Sequence, residues 1–225
     1  TFFEVLVVLA YAVFADAPVD VAVVEVGMGG RWDATNVADG EVAVLTPVDI
    51  DHTHFLGSDI ESIAAEKVGI IKPGAAVVTA DQSPEVMDLI DERCAEVGAR
   101  RYIAEVDFAL SAREVALGGQ VISLRGLADR YDDLFVPLHG SHQGDNAALA
   151  IAAVELFLGA GERRLDTDTV RAGLAAVTSP GRLEVVRRSP TILVDAAHNP
   201  HGMAALRDAL ADAFSFARLV AVVAI

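Results

Sequence analysis

Four stretches of this chain are apolar without alternation: VDVAVVEV (19–26), EVAVLT (41–46), AAVVTA (75–80) and PTILVDA (190–196). A strand with one wet face alternates apolar and polar residues, whereas a strand covered on both faces has no reason to. Such runs predict a mostly parallel sheet. Helical stretches lie between them and give the βαβ order of an α/β fold with helices flanking the sheet. One segment differs. FALSAREVALGGQVISL (108–124) places Gly118-Gly119 between two strand-like runs and predicts an antiparallel hairpin.

The helices have their own signals. GDNAALAIAAVELFLGAG (144–161) carries Leu149, Ala152, Ala153 and Leu156 on one side, with Gly159 near its stop. VLVVLAYAVFA (5–15) is about half the length that spans a bilayer. It follows Glu4, not a basic segment, so it predicts a buried helix and not a signal peptide. VTSPGRLEVV (177–186) joins a helical to a strand-like stretch through Ser, Pro and Gly, and the expected domain boundary falls there, with one domain over 1–178 and a smaller one over 179–225. The chain begins at Thr1 and ends on LVAVVAI, a bare apolar run, so it is expected to be part of a longer protein.

A formal net charge of −16 argues against nucleic acid or an anionic membrane as the main partner. Cys94 is the single cysteine, which excludes an internal disulfide framework and fits a reducing cytoplasm.

Ligands of open parallel sheets sit beyond the carboxyl ends of the strands. Three of the apolar runs end in polar groups. Glu25 is followed by GMGG; VAVLTPVDIDHTH brings Asp49, Asp51, His52 and His54 into six residues; TILVDAAHNP ends in Asp195, His198 and Asn199. Any one of these is more often a hydrogen-bonded structural group, but three at one rim point to a site. Lys67 continues the apolar stripe Ile60, Ile63, Ala64 of a helix that Ser58 and Glu61 would open as a capping box. Such a lysine either snorkels to water or faces the site. Asn199 and Pro200 supply a helix cap and first turn, with Met203, Leu206 and Leu210 forming the apolar side. The free N–H groups of such a helix start can hold an anion, which His198 would also face.

Five segments, EVGMGGRWDATN (25–36), DHTHFLGSDIESIAAEKVGIIKPG (51–74), HQGDNAALA (142–150), PGRLEVV (180–186) and DAAHNPHG (195–202), stand in the order and spacing of the folylpolyglutamate synthase and dihydrofolate synthase family, within the Mur ligase superfamily. The chain resembles that family over essentially its whole length. The resemblance implies an ATP-dependent ligase that joins L-glutamate to dihydropteroate or a folate through an acyl phosphate, with ATP and Mg2+ as cofactors. It also implies a cytoplasmic monomer with small-molecule substrates and no nucleic-acid or membrane partner. By position, Glu25 and His52 resemble magnesium ligands, and Lys67 the lysine that becomes carbamylated. Asn146, Arg182 and Asp195 resemble ATP contacts. His198 lies where the family approaches the acyl phosphate and glutamate. Thr1, Phe3 and Asp33 resemble the dihydropteroate pocket, with Phe3 stacking on the pterin.

The chain also departs from the family pattern. A G-x-x-x-x-G-K-[ST] phosphate loop would lie upstream of Thr1, so the stretch alone is expected to be inactive. His54 stands where relatives often carry aspartate, and Ala196 replaces a common glycine. A Mur-type ligase on a cell-wall precursor, a metal-dependent hydrolase and a non-catalytic binding module descended from a ligase are the alternatives.

Overall fold

The computed structural model describes residues 1–17, 19–51 and 53–223. They form two compact units, Thr1–Val77 with Gln82–Arg101, and Val78–Asp81 with Tyr102–Ile225.

The first unit opens with helix α1 (Phe2–Asp16), which Thr1 caps by accepting the Glu4 N–H at 3.2 Å. The expectation of a buried helix fails in part, since Val7 is its one buried residue. Residues 20–26 form no strand, and Val23 is 97% exposed. An apolar run becomes a strand only where an edge exists to accept its N–H and C=O groups, and none among the described residues does so here. Strand β1 (Val42–Leu45), short helix α2 (Thr53–Leu56), α3 (Ile60–Lys67), β2 (Ala76–Thr79), α4 (Pro84–Val97) and β3 (Arg100–Ile103) follow. The three strands lie in the order β1-β2-β3 in a parallel sheet, and helices make the crossovers that parallel neighbours need. Ala43, Leu45 and Val77 of the sheet pack with Ala64 of α3, with Val68 directly after that helix, and with Val86, Ile90 and Cys94 of α4. The cap of α3 is Asp59, which accepts the Ser62 N–H at 2.8 Å, one residue later than the Ser58 box predicted. A carboxylate is as good a cap as a hydroxyl and here stands closer to the first turn.

In the second unit β4 (Ala109–Ala116) and β5 (Gly119–Arg125) form the expected hairpin, with Ala116 opposite Gly119 and Gly118 at φ +81 in the turn. The two loop residues are therefore Leu117 and Gly118, while Gly119 opens β5. A third antiparallel strand, β6 (Arg130–Val136), extends this sheet. Helices α5 (Ser141–Gly159) and α6 (Thr167–Ala175) come next. Strands β7 (Glu184–Arg188) and β8 (Thr191–Val194) pair antiparallel, Glu184 opposite Val194, so the run at 190–196 belongs to a hairpin and not to the parallel sheet. Helix α7 (Pro200–Ala213) starts on Asn199, which accepts the Gly202 N–H at 2.7 Å, with Pro200 at its first position. Its buried point is Ala209; Met203 is exposed, so the expected apolar stripe is only partly covered.

Glu155 on α5 is fully buried and accepts from Leu127 N at 2.6 Å, Ala128 N at 3.3 Å and the Tyr131 hydroxyl at 2.8 Å. Burial, opposed by a bond from the Leu165 N–H and helped by Glu155, pushes the Tyr131 hydroxyl up to about 12.

Candidate functional site

The GMGG segment is a loop built on close approach. A Cβ placed on Gly30 would lie 2.5 Å from the Glu66 carbonyl oxygen and 2.9 Å from that of Lys67. One on Gly69 would lie 2.5 Å from Arg31 Cβ. Only glycines let the loop sit directly on the end of α3. Hydrogen bonds fix it there. Arg31 N donates to Glu66 O at 2.8 Å, and the Asn36 amide donates to Arg31 O and Gly69 O, each at 3.1 Å. The Lys72 ammonium donates to Asn36 O at 2.6 Å.

This packing places the backbone just after Glu25 against the backbone of Lys67. Glu25 itself is exposed, and Lys67 is half-buried in the last turn of α3. His52 lies outside the described residues. Among the described residues no group of three or more His, Cys, Asp or Glu side chains is placed to hold a metal. Gln82 supports the neighbouring strand end, donating to Thr46 O at 2.9 Å and accepting from Val48 N at 2.9 Å.

Gly27, in the same loop, meets different neighbours. A Cβ there would lie 2.5 Å from Phe3 Cζ and 3.0 Å from Asp33 Oδ2, so Phe3 and Asp33 meet at this glycine. Phe3 is 41% exposed. Asp33 accepts from Met28 N at 2.9 Å, Thr35 N at 2.9 Å and the Thr35 hydroxyl at 2.5 Å, and caps the 3-10 turn Ala34–Val37. Burial resists ionisation of Asp33. Bonds from the Thr35 hydroxyl and from the N–H groups of Met28, Thr35 and Gly27 outweigh it and hold the carboxyl below its usual range. Thr1 is the cap of α1.

The second unit brings together PGRLEVV, DAAHNP and HQGDN. Asp195 accepts from Leu183 N at 2.7 Å through one oxygen and from Ala197 N at 2.8 Å through the other, and Ala196 N donates to Gly181 O at 2.8 Å. One carboxylate thus clasps two loops and seats exposed Arg182 beside them. The His198 Nδ1 lies 2.9 Å from Ala196 O, which puts the proton of a neutral ring on Nδ1. Asn146 is exposed on α5, one turn beyond half-buried His142. Burial holds His142 below its usual range; the Asp145 and Asp195 carboxylates pull it up, and His201 and Arg113 add to the lowering. HQGDN and DAAHNPH are therefore close enough to act on each other's charges.

Sequence reasoning missed Asn36, Lys72 and Gln82, whose partners lie more than 30 residues away in sequence and leave no local pattern. The density of glycines in GMGG was the available signal for the close approach at Gly30.

The sequence profile of the Mur ligase middle domain matches residues 2–154, and that of the Mur ligase glutamate ligase domain matches residues 181–225. The chain belongs to the Mur ligase family. Among its relatives, the dihydrofolate synthase/folylpolyglutamate synthase of Mycobacterium tuberculosis is 54% identical over 99% of this chain and 47% of its own length. The folylpolyglutamate synthase of Lacticaseibacillus casei is 39% identical over 96% of this chain and 50% of its own. A crystal structure of the Mycobacterium tuberculosis folylpolyglutamate synthase complexed with ADP and AMPPCP superposes with a TM-score of 0.90 at 53% identity, covering 95% of this chain and 49% of that one. An FPGS–AMPPCP–folate complex superposes with a TM-score of 0.91 at 39% identity, covering 96% and 53%. The α/β fold is thereby shown. This Mur ligase chain spans about half the length of the curated relatives it matches.

Proposed function

We propose that the protein is an ATP-dependent ligase that joins L-glutamate to dihydropteroate, to a reduced folate, or to both, through an acyl phosphate. The observation that carries this reading is the loop at 27–33, in which one glycine meets Phe3 and Asp33 while another lies on the backbone of Lys67. A pterin site and a phosphate site are then served by one rigid segment. The relatives named for this chemistry match nearly the whole chain, at 54% and 39% identity.

In this reading Phe3 stacks on the flat pterin. Asp33, kept ionised by its donors, presents acceptors to the N–H edge of the ring. Glu25, His52 and a carbamate on Lys67 would hold Mg2+. When bound, that ion neutralises charge on the phosphates during transfer. Asn146 and Arg182 contact the nucleotide, with Asp195 ordering the loop that carries Arg182. His198, protonated on Nδ1, lies beside the α7 start, whose unpaired N–H groups suit an anionic group of substrate. We also infer that the domains divide near 178/179, and that the protein works as a cytoplasmic monomer. No helix among the described residues is long and apolar enough to cross a membrane.

The test is ADP release by the full-length protein with ATP, Mg2+ and glutamate, adding dihydropteroate, a reduced folate or a nucleotide-linked muramyl acceptor in turn. Turnover that requires glutamate and one of the pterin acceptors is expected. Turnover only with the muramyl acceptor, or with none, overturns the reading.

A further inference from the structure

A buried amide must find partners for all its polar atoms. Gln120 on β5 is fully buried, and its Nε2 donates to Leu138 O and Gly140 O, each at 3.0 Å. Its Oε1 accepts from Arg113 Nε, on β4, at 2.5 Å. The same guanidinium reaches the other way and donates through Nη2 to Asp212 Oδ2, on α7, at 2.5 Å. Three side chains therefore run in series from α7 to two carbonyls of the loop that leads into α5. Two packing contacts lie beside them. A Cβ on Gly140 would sit 3.2 Å from Ala209 Cβ, and the His139 and Phe214 rings are 4.9 Å apart at 57°.

The two helices joined this way carry the two motifs at their starts. Helix α5 opens on His142 and Asn146, and α7 opens on Asn199 directly after His198. Asp212 stands near the far end of α7, roughly 18 Å along the axis from Pro200 at 1.5 Å per residue. A small tilt at that end becomes a larger displacement at the start. The Arg113 side chain is 19% exposed and anchored at both ends, so its planar fork is held in one orientation. Its charge also reaches His142 and Asp145.

We infer that Arg113 is a positioning residue: seated on buried Gln120, it fixes α7, and with it the 195–199 turn, against the start of α5. The catalytic consequence rests on the ligase reading given above, while the geometry does not.

The experiment uses the full-length protein with spin labels on cysteines introduced at exposed Ala150 of α5 and exposed Arg207 of α7, any other accessible cysteine being replaced; Cys94 is buried. Arg113→Met is expected to broaden the label distance distribution and lower kcat about 10-fold. The KM for the pterin acceptor should stay within about 2-fold, and the double variant Arg113→Met/Asp212→Asn should be no worse than Arg113→Met alone. A distance distribution and kcat both unchanged, whatever happens to the melting temperature, overturn the inference. Should Arg113→Met not fold, Asp212→Asn, at the exposed end of the series, decides the matter by the same two readouts. If the wild type releases no ADP with either pterin acceptor, the ligase reading fails and the label distance alone decides whether Arg113 fixes α7.

Discussion

The loop at 27–33 and the clasp that joins 181–183 to 195–197 solve the same problem with different materials. Each holds residues read as site residues on irregular backbone, where no ladder of hydrogen bonds does the holding. The first uses absence of side chains: Gly30 and Gly69 let backbone lie on backbone. The second uses one charged side chain, Asp195, to bind two N–H groups on separate loops. A steric fit tolerates no added atom and is indifferent to pH, whereas a carboxylate clasp can be replaced by weaker acceptors and fails by degrees.

The sharpest way to break that contrast is Gly30→Ala. Its Cβ meets backbone oxygens that cannot move without unseating the end of α3, so the expected cost is about 3 kcal/mol, read as a shift in denaturant midpoint. A neutral result there would mean that the loop is looser than its packing implies. Next in size is Asp195→Ala. It leaves the Leu183 and Ala197 N–H groups without their acceptor and should cost about 2 kcal/mol by the same measurement, with Asp195→Asn retaining part of it.

A third test lies within the steric loop, at its one acidic member, Asp33. The Asp33 carboxyl is lower in the folded than in the unfolded chain, where it titrates near 3.8. It therefore adds stability above that pH and loses it as pH falls through the depressed folded value. Asp33→Asn should flatten this part of the acid limb, checked by unfolding curves from pH 5 downward, starting about one unit above that value. A limb that keeps its slope would assign the acid sensitivity to other carboxylates. The smallest effect is expected at Gly27→Ala, below about 1 kcal/mol, because its Cβ meets the far end of the Phe3 ring, which can swing aside. In the full-length protein that displaced ring should raise the KM for the pterin acceptor while the KM for ATP stays put.

Much of this was legible in residues alone, and the failures share a cause. The runs at 41–46 and 75–80 contain β1 and β2, and the glycine pair at 118–119 marked the hairpin. Asn199 and Pro200 announced the start of α7. Local chemistry suffices for such features because cap, turn and strand are decided within a few residues. Residues 19–26 and 190–196 read the same way as β1, yet one is no strand and the other pairs antiparallel. Apolar content states a demand for cover, not which edge supplies it. At the site, Asp195 was legible as a polar group in an unusual place, but its bond from the Leu183 N–H was not, since that depends on how one loop crosses another.

Glu155 has a consequence for how α5 can move. Its carboxyl group engages the turn at 127–128 and the Tyr131 hydroxyl, so rotating the helix by one residue, or sliding it by one, would leave a buried polar group without its partners. The helix is keyed like a shaft in a slotted hub. Any disturbance of that remote turn should therefore be felt as a twist of the rod, carried about 13 Å along it to Asn146 at 1.5 Å per residue.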